Sequence, residues 1–210
     1  MKKSDLVMKR LWLSKERFVK SDNLKVICKE LGINYETLVN YLLSRHYLIR
    51  IFKGIFYVKS PEEIKIGKVD KSTLEMVANG LQIKGVNNWY FGLYTAILLN
   101  NITHEYFTVN YVINDKIFRA KEINIAENKF KFIKIKPSLI FGIKEKNGIR
   151  YSDLEKTILD FVYLWRYRNI SEEKILIDVS EFVENASKKK LLEYSKKYPK
   201  TVRRIVDELI

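Results

Sequence analysis

Between Tyr35 and Arg45 the chain spaces Tyr35, Glu36, Thr37, Asn40, Ser44 and Arg45 so that, on a helix, they lie outward once Leu38, Tyr41 and Leu42 are turned inward. Those types suit the edges of base pairs. An asparagine such as Asn40 can pair with adenine, a threonine such as Thr37 can touch a thymine methyl, and Arg45 lies towards the phosphate backbone. Chemistry of bond making is harder to find. Asp153, Glu155 and Asp160 are the acidic candidates, but Glu155 and Asp160 are five residues apart, about 140° around a helix, which is poor for sharing a metal or a proton. Asp153 and Glu155 are better explained as first-turn acids favoured by the helix dipole. The 8 glycines are scattered singly, with no phosphate-cradling loop, no Gly-x-Ser-x-Gly elbow and no Gly-Ser followed by paired acids. Cys28 is the one cysteine, placed as a small packing residue, and only His46 and His104 accompany it. No catalytic residue, metal site or cofactor is expected, and the chain is not expected to be an enzyme.

The elements that must position the outward set are legible around it. Taking Gly32 as a turn residue, Ile27, Leu31, Ile33, Leu38 and Tyr41 become the apolar contacts of two crossing helices joined by a short turn, the pattern of a helix-turn-helix. Ser21, Asp22 or Asn23 can cap the first of these helices and Asn34 the second. The run from Tyr47 to Lys59 is rich in β-branched and aromatic residues and is broken by Lys53-Gly54, which reads as a two-stranded wing with Lys53 at its tip. Arg50, Lys53 and Lys59 then face phosphates or a minor groove. Residues 5–18 read as a preceding helix with Leu6, Trp12 and Leu13 inward, and Lys2, Lys3 and Arg10 are further candidates for the DNA backbone. An ordinary helix-hairpin unit that binds no nucleic acid has the same spacing.

Charge favours nucleic acid. Lys and Arg number 39 against 25 Asp and Glu, a net +14. Residues 1–60 hold 13 basic and 5 acidic side chains, so +8 of the total lies there. No stretch of about 18 apolar residues occurs, so a cytoplasmic chain that does not enter a membrane is expected.

Residues 1–60 are thus read as a winged helix-turn-helix domain, 61–70 as a linker, and 71–210 as a second, α+β domain of helices packed on a small, mainly antiparallel sheet. In that domain Ser72 and Glu75 form a capping box. Trp89 to Leu99, apolar nearly all round, reads as a buried helix, and alternation marks strands at 106–113, 122–125, 129–136, 138–144 and 149–151. Ser152 and Glu155 form a second capping box, opening a helix to about Trp165. From Ser171 the pattern is helical, with breaks near Asn185 and Pro199. The lysine-rich end, Lys188 to Lys190 with Lys196, Lys197, Lys200, Arg203 and Arg204, extends a DNA footprint, meets an acidic partner or keeps the helices solvated.

Trp89-Tyr-Phe-Gly-Leu-Tyr-Thr-Ala96 and Tyr151-Ser-Asp-Leu-Glu-Lys-Thr-Ile-Leu-Asp160, following a winged helix, resemble the AbiEi antitoxins, transcriptional regulators of viral defence. The resemblance implies an autorepressor whose first domain binds inverted repeats in its own promoter. It also implies that the second domain neutralises a nucleotidyltransferase-like toxin. Two other classes fit the residues alone: a protein-interaction module, or an enzyme acting on nucleic acid with the winged domain as a targeting device.

Overall fold

The computed structural model describes residues 3–210; Lys2 lies outside them. The chain forms two compact units, one running up to Gly85 and including Asn124–Glu127, the other made of Val86–Ile123 and Asn128–Ile210.

In the first unit the order is α1 (Lys3–Leu13), β1 (Phe18–Lys20), α2 (Ser21–Leu31), α3 (Tyr35–Ser44), β2 (Leu48–Phe52), β3 (Ile55–Val58), α4 (Pro61–Ile66) and α5 (Thr73–Ile83). The strands make an antiparallel sheet in the order β1-β3-β2, with Val19 opposite Phe56 and Leu48 opposite Val58. Val7, Met8, Leu11, Leu24, Ile27, Cys28, Leu38, Leu42 and Phe56 form its core. Leu13, expected inward, is 73% exposed, and the α1 stripe is carried by Val7, Met8 and Leu11 instead.

Gly32 ends α2 at φ 59° and ψ 49°, in the left-handed region, and its N–H and that of Ile33 both return to the Cys28 carbonyl. This closure satisfies carbonyls a helix end leaves open, and it suits glycine because other residues pay for that conformation in strain. Asn34 then caps α3 as expected, its side chain accepting from the Thr37 N–H at 2.9 Å. The cap of α2 differs from expectation. Lys20 holds that position without a side-chain bond, because β1 runs directly into the helix and the Ser21 N–H donates to the Gly54 carbonyl of the hairpin turn at 2.8 Å.

Segment 61–70, read above as a linker, carries α4, whose Ser60–Glu63 capping box is complete. The hairpin is buried on both faces: Ile51, Phe52, Ile55, Phe56, Tyr57 and Val58 are all shielded. Helix α5 supplies part of that cover. A Cβ at Gly80 would come within 2.8 Å of both Ile51 and Phe52, so only glycine permits this approach.

Glu63 is 1% exposed. It accepts from the Tyr57 hydroxyl (2.6 Å) and from the Ser60 and Asp70 N–H groups (2.8 Å each), and it pairs with Arg17 at 2.6 Å. Burial alone raises such a carboxyl, but these donors outweigh it and hold Glu63 below its usual value. A carboxylate depressed in the folded state stabilises at pH above its unfolded value and loses that contribution as pH falls through the folded one. The stability advantage of the wild type over Glu63→Gln, measured by urea unfolding, should therefore be full at pH 7 and shrink steadily below about pH 4. A constant difference from pH 7 to pH 3 would contradict this role.

The remaining elements are β4 (Trp89–Phe91), α6 (Leu93–Leu99), β5 (Val109–Asn114), β6 (Ile123–Ile125), β7 (Asn128–Lys134), β8 (Ile143–Lys146) and β9 (Ile149–Ser152), then α7 (Leu154–Tyr167), α8 (Glu172–Val183), α9 (Lys188–Ser195) and α10 (Lys200–Leu209). The second sheet has the order β6-β7-β5-β4-β9-β8. It is mixed, not mainly antiparallel. β5 runs parallel to β7 along its whole length and β4 parallel to β9, because the connections 115–127 and 92–148 are long enough to bring the chain back in the same sense. The apolar run from Trp89 is likewise not one helix. Its first three residues are the buried strand β4, and Gly92 separates them from α6. A strand covered on both faces is as uniformly apolar as a buried helix, so periodicity alone does not distinguish them. The breaks expected near Asn185 and Pro199 do separate α8, α9 and α10.

Candidate nucleic-acid interface

Helix α3 presents Glu36, Thr37, Asn40 and Ser44 to solvent, while Leu38, Val39 and Leu42 enter the core. At about 100° per residue the four exposed side chains share one face. Arg45, the C-cap, is exposed on the flank of that face, with its guanidinium 5.9 Å from the centre of the Tyr41 ring. Tyr35 is half-buried at the opposite end, under the Lys25 ammonium at 5.6 Å.

The polar groups of this face are unequal. The Thr37 hydroxyl donates to Asn34 Oδ1 at 3.1 Å, and the Ser44 hydroxyl donates to the Tyr41 carbonyl at 2.9 Å. Both donors are committed to the helix that carries them. The side chains of Asn40 and Glu36 reach solvent unencumbered, and an asparagine amide offers a donor and an acceptor side by side.

The hairpin cations are spread along their strands. Arg50 is exposed on β2, 5.7 Å from the Phe56 ring; Lys53 is exposed at the turn; Lys59 is half-buried just past β3, its carbonyl accepting from the Trp12 indole at 2.9 Å. Docking of the turn on Ser21 fixes where Lys53 emerges. Of the candidates on α1, Lys3 is exposed and donates to the Gly32 carbonyl at 3.3 Å, whereas Arg10 is paired with Glu30.

In the second unit the structure assembles a cluster that residue spacing did not expose. Lys156 and Asp160, one turn apart on α7, form an ion pair at 0% and 1% side-chain exposure. The Lys156 ammonium also donates to the hydroxyls of Tyr90 and Tyr198 at 2.8 Å each, and those hydroxyls donate to Asp160 at 2.7 and 2.9 Å. Burial pushes the Lys156 ammonium below its usual value, and Asp160 pulls it back in part. Every polar atom here has a partner, so the cluster fastens β4 and the connection between α9 and α10 to α7.

Beside it, Asp153 caps α7 through the Lys156 N–H, so the box expected at Ser152 and Glu155 does not form. Ser152 belongs to β9, and Glu155 instead accepts from the Ser187 N–H at 3.0 Å. Lys190 bridges Asp153 and Glu155 at 3.0 and 3.1 Å. Burial works against the Lys190 charge, but the two carboxylates prevail and raise it above its usual value. Gly142 at φ +63° completes the junction, since a Cβ there would lie 2.9 Å from Tyr194 and 3.0 Å from Lys156. The lysine-rich end is thus partly structural: Lys190 is half-buried in this bridge and Arg204 pairs with Glu172 at 2.5 Å, while Lys189, Lys196 and Lys200 are exposed. An i,i+4 Lys–Asp pair inside an apolar stretch was the signal available for Lys156 and Asp160. Nothing local pointed to Tyr90 or Tyr198.

No family model matches this sequence, and no curated protein matches it. Among solved structures, the fold is similar to that of the Rv2827c protein from Mycobacterium tuberculosis, with a TM-score of 0.61 over 99% of this chain and 75% of that one, at 12% sequence identity. At that identity the likeness concerns the fold alone. Among the described residues, no group of three or more His, Cys, Asp or Glu side chains is placed to hold a metal ion, and no helix is long and apolar enough to cross a membrane.

Removing one partner of a buried ion pair leaves an uncompensated charge, at a cost of about 3–5 kcal/mol. Asp160→Asn should lose about that much in urea unfolding, and the joint Lys156→Met, Asp160→Leu replacement distinctly less. Equal losses would show that packing at α7, not charge pairing, sets the cost.

Proposed function

We propose that the first unit is a winged helix-turn-helix and that the protein is a sequence-specific DNA-binding regulator, an autorepressor of its own promoter and the antitoxin of an abortive-infection type pair. The observation that carries the reading is the exposed face of α3 with its free Asn40 amide, set by the turn at Gly32 and followed by a hairpin with Lys53 at its tip. In that arrangement α3 enters the major groove and the first helix of the motif crosses the backbone. Asn40 and Thr37 read base edges, with Glu36, Tyr35 and Ser44 bordering them. Arg45, Arg50, Lys53 and Lys59 hold phosphates, which position the protein without reading sequence.

Membership of the AbiEi family rests on the motifs around Trp89 and Tyr151 and is supported, at the level of fold, by the likeness to Rv2827c. On this reading the second unit is the partner-binding part and catalyses nothing, and the toxin it neutralises is nucleotidyltransferase-like. Co-expression with the adjacent gene tests that half: rescue of growth by this chain supports it, and unchanged toxicity removes it.

The DNA half makes two residue-level predictions. Asn40→Ala should lower affinity by about 1–3 kcal/mol at one base pair; equal losses on specific and random duplexes would remove Asn40 as a reader. Lys53→Ala should reduce the slope of log affinity against log salt by about one while leaving sequence preference intact. An unchanged slope would take Lys53 off the list of phosphate contacts.

A further inference from the structure

The exposed face of α3 is bordered by a recess of about 230 Å³ lined by Ser4, Ile33, Thr37, Leu38 and Tyr41. Its walls are mostly carbon. Leu38 is buried beneath it, and Ile33 and Tyr41 are half-buried at its sides. Thr37 stands at the mouth with its hydroxyl proton already given to Asn34 Oδ1, so its methyl group is what remains for a ligand. Tyr41 is held by the Arg45 guanidinium on one side of its ring and carries the Ser44 hydroxyl on its carbonyl.

An apolar recess suits many occupants, and its surroundings select one. Cations stand beside its lining residues, Arg45 at 5.9 Å from the Tyr41 ring and Lys3 donating to the Gly32 carbonyl just before Ile33, within a stretch that carries most of the excess positive charge, so a polyanion is drawn to this side of the unit. Within a polyanionic duplex, the apolar feature displayed in the major groove is the C5-methyl of thymine. Spacing agrees: Thr37 and Asn40 are three residues apart, about 4.5 Å along the helix axis, comparable with the step of about 3.4 Å between stacked base pairs.

Resting on the DNA-binding reading above, we propose that this recess seats a thymine methyl in the operator, next to the base pair read by Asn40, and that Ile33, Thr37 and Tyr41 select it. The recognised site then contains an adenine and a neighbouring thymine as a unit. Asn40 discriminates by hydrogen bonds and the recess by shape and apolar contact. Of the two hydroxyls on the face, neither contributes a proton to base recognition.

Replacing thymines of the operator one at a time by deoxyuridine tests this, because the substitution removes the methyl and leaves pairing unchanged. One position per bound protein should lose about fourfold in affinity, the value of one methyl group taken out of water. In Thr37→Ser, which keeps the hydroxyl for Asn34, the thymine-to-uracil difference at that position should fall below about twofold. The uracil scan in the wild type stands independently of whether the variant folds. Should every single replacement leave affinity within experimental error while the operator is still preferred over scrambled DNA, the recess is not a base reader and an apolar side chain of another protein is its better occupant. Absence of any sequence preference in the wild type would overturn the DNA-binding reading itself, and this inference with it.

Discussion

The left-handed turn at Gly32 is the constraint on which the first unit depends. It closes α2 on the Cys28 carbonyl and turns the chain at once, so that Asn34 falls where it can cap α3. A residue other than glycine holds that conformation at a cost of roughly 1–2 kcal/mol. Nothing crowds the position: the nearest atom to an added Cβ is Lys3 Nζ at 3.7 Å. The requirement is therefore conformational and not steric. Once the turn is set, the phase of α3 follows, with Leu38, Val39 and Leu42 inward and Glu36, Thr37, Asn40 and Ser44 outward. The identity of the exposed face is a consequence of one φ angle and a helical repeat.

A second constraint operates in the other unit. Helix α7 buries a lysine and an aspartate along with its apolar residues, and such a pair is tolerable only with full hydrogen bonding. Tyr90 from β4 and Tyr198 from the α9–α10 junction supply it. Buried ions of this kind add little stability over an apolar pair, but they reject arrangements in which a partner is missing. The C-terminal helices are accordingly fixed to α7 by Tyr198, and again by the Lys190 bridge to Asp153 and Glu155.

Local signals were the legible ones. Gly32, the Asn34 cap, the Ser72–Glu75 box, the Lys53–Gly54 turn and the breaks near Asn185 and Pro199 all act through neighbours within a few residues, and each reads directly from residue type. What misled was burial on both faces, which erases periodicity: Trp89 to Leu99 reads as a single helix although β4 precedes α6. Strand direction was equally hidden, because alternation marks a strand without saying which way its neighbour runs. The α7 cap shifted from Ser152 to Asp153 because β9 claims the serine. Of the candidate interface, the outward set on α3 was readable, whereas the commitment of the Thr37 and Ser44 hydroxyls and the recess beside Tyr41 arise only in the folded arrangement. The buried cluster joins residues 66 apart at Tyr90 and Lys156 and 42 apart at Lys156 and Tyr198, separations that no local pattern spans.

The central claim is that a positively charged unit with one exposed helical face reads a particular DNA sequence. Charge alone predicts binding to any duplex, falling steeply with salt; reading predicts a difference between duplexes that survives added salt. The most direct measurement is a salt-titrated binding assay on the DNA immediately upstream of the gene beside a scrambled duplex of equal length. The account predicts an affinity of roughly 10⁻⁸ to 10⁻¹¹ M for the upstream DNA at moderate salt, far above that for the scrambled one. Equal, weak binding to both that vanishes as salt rises would contradict it.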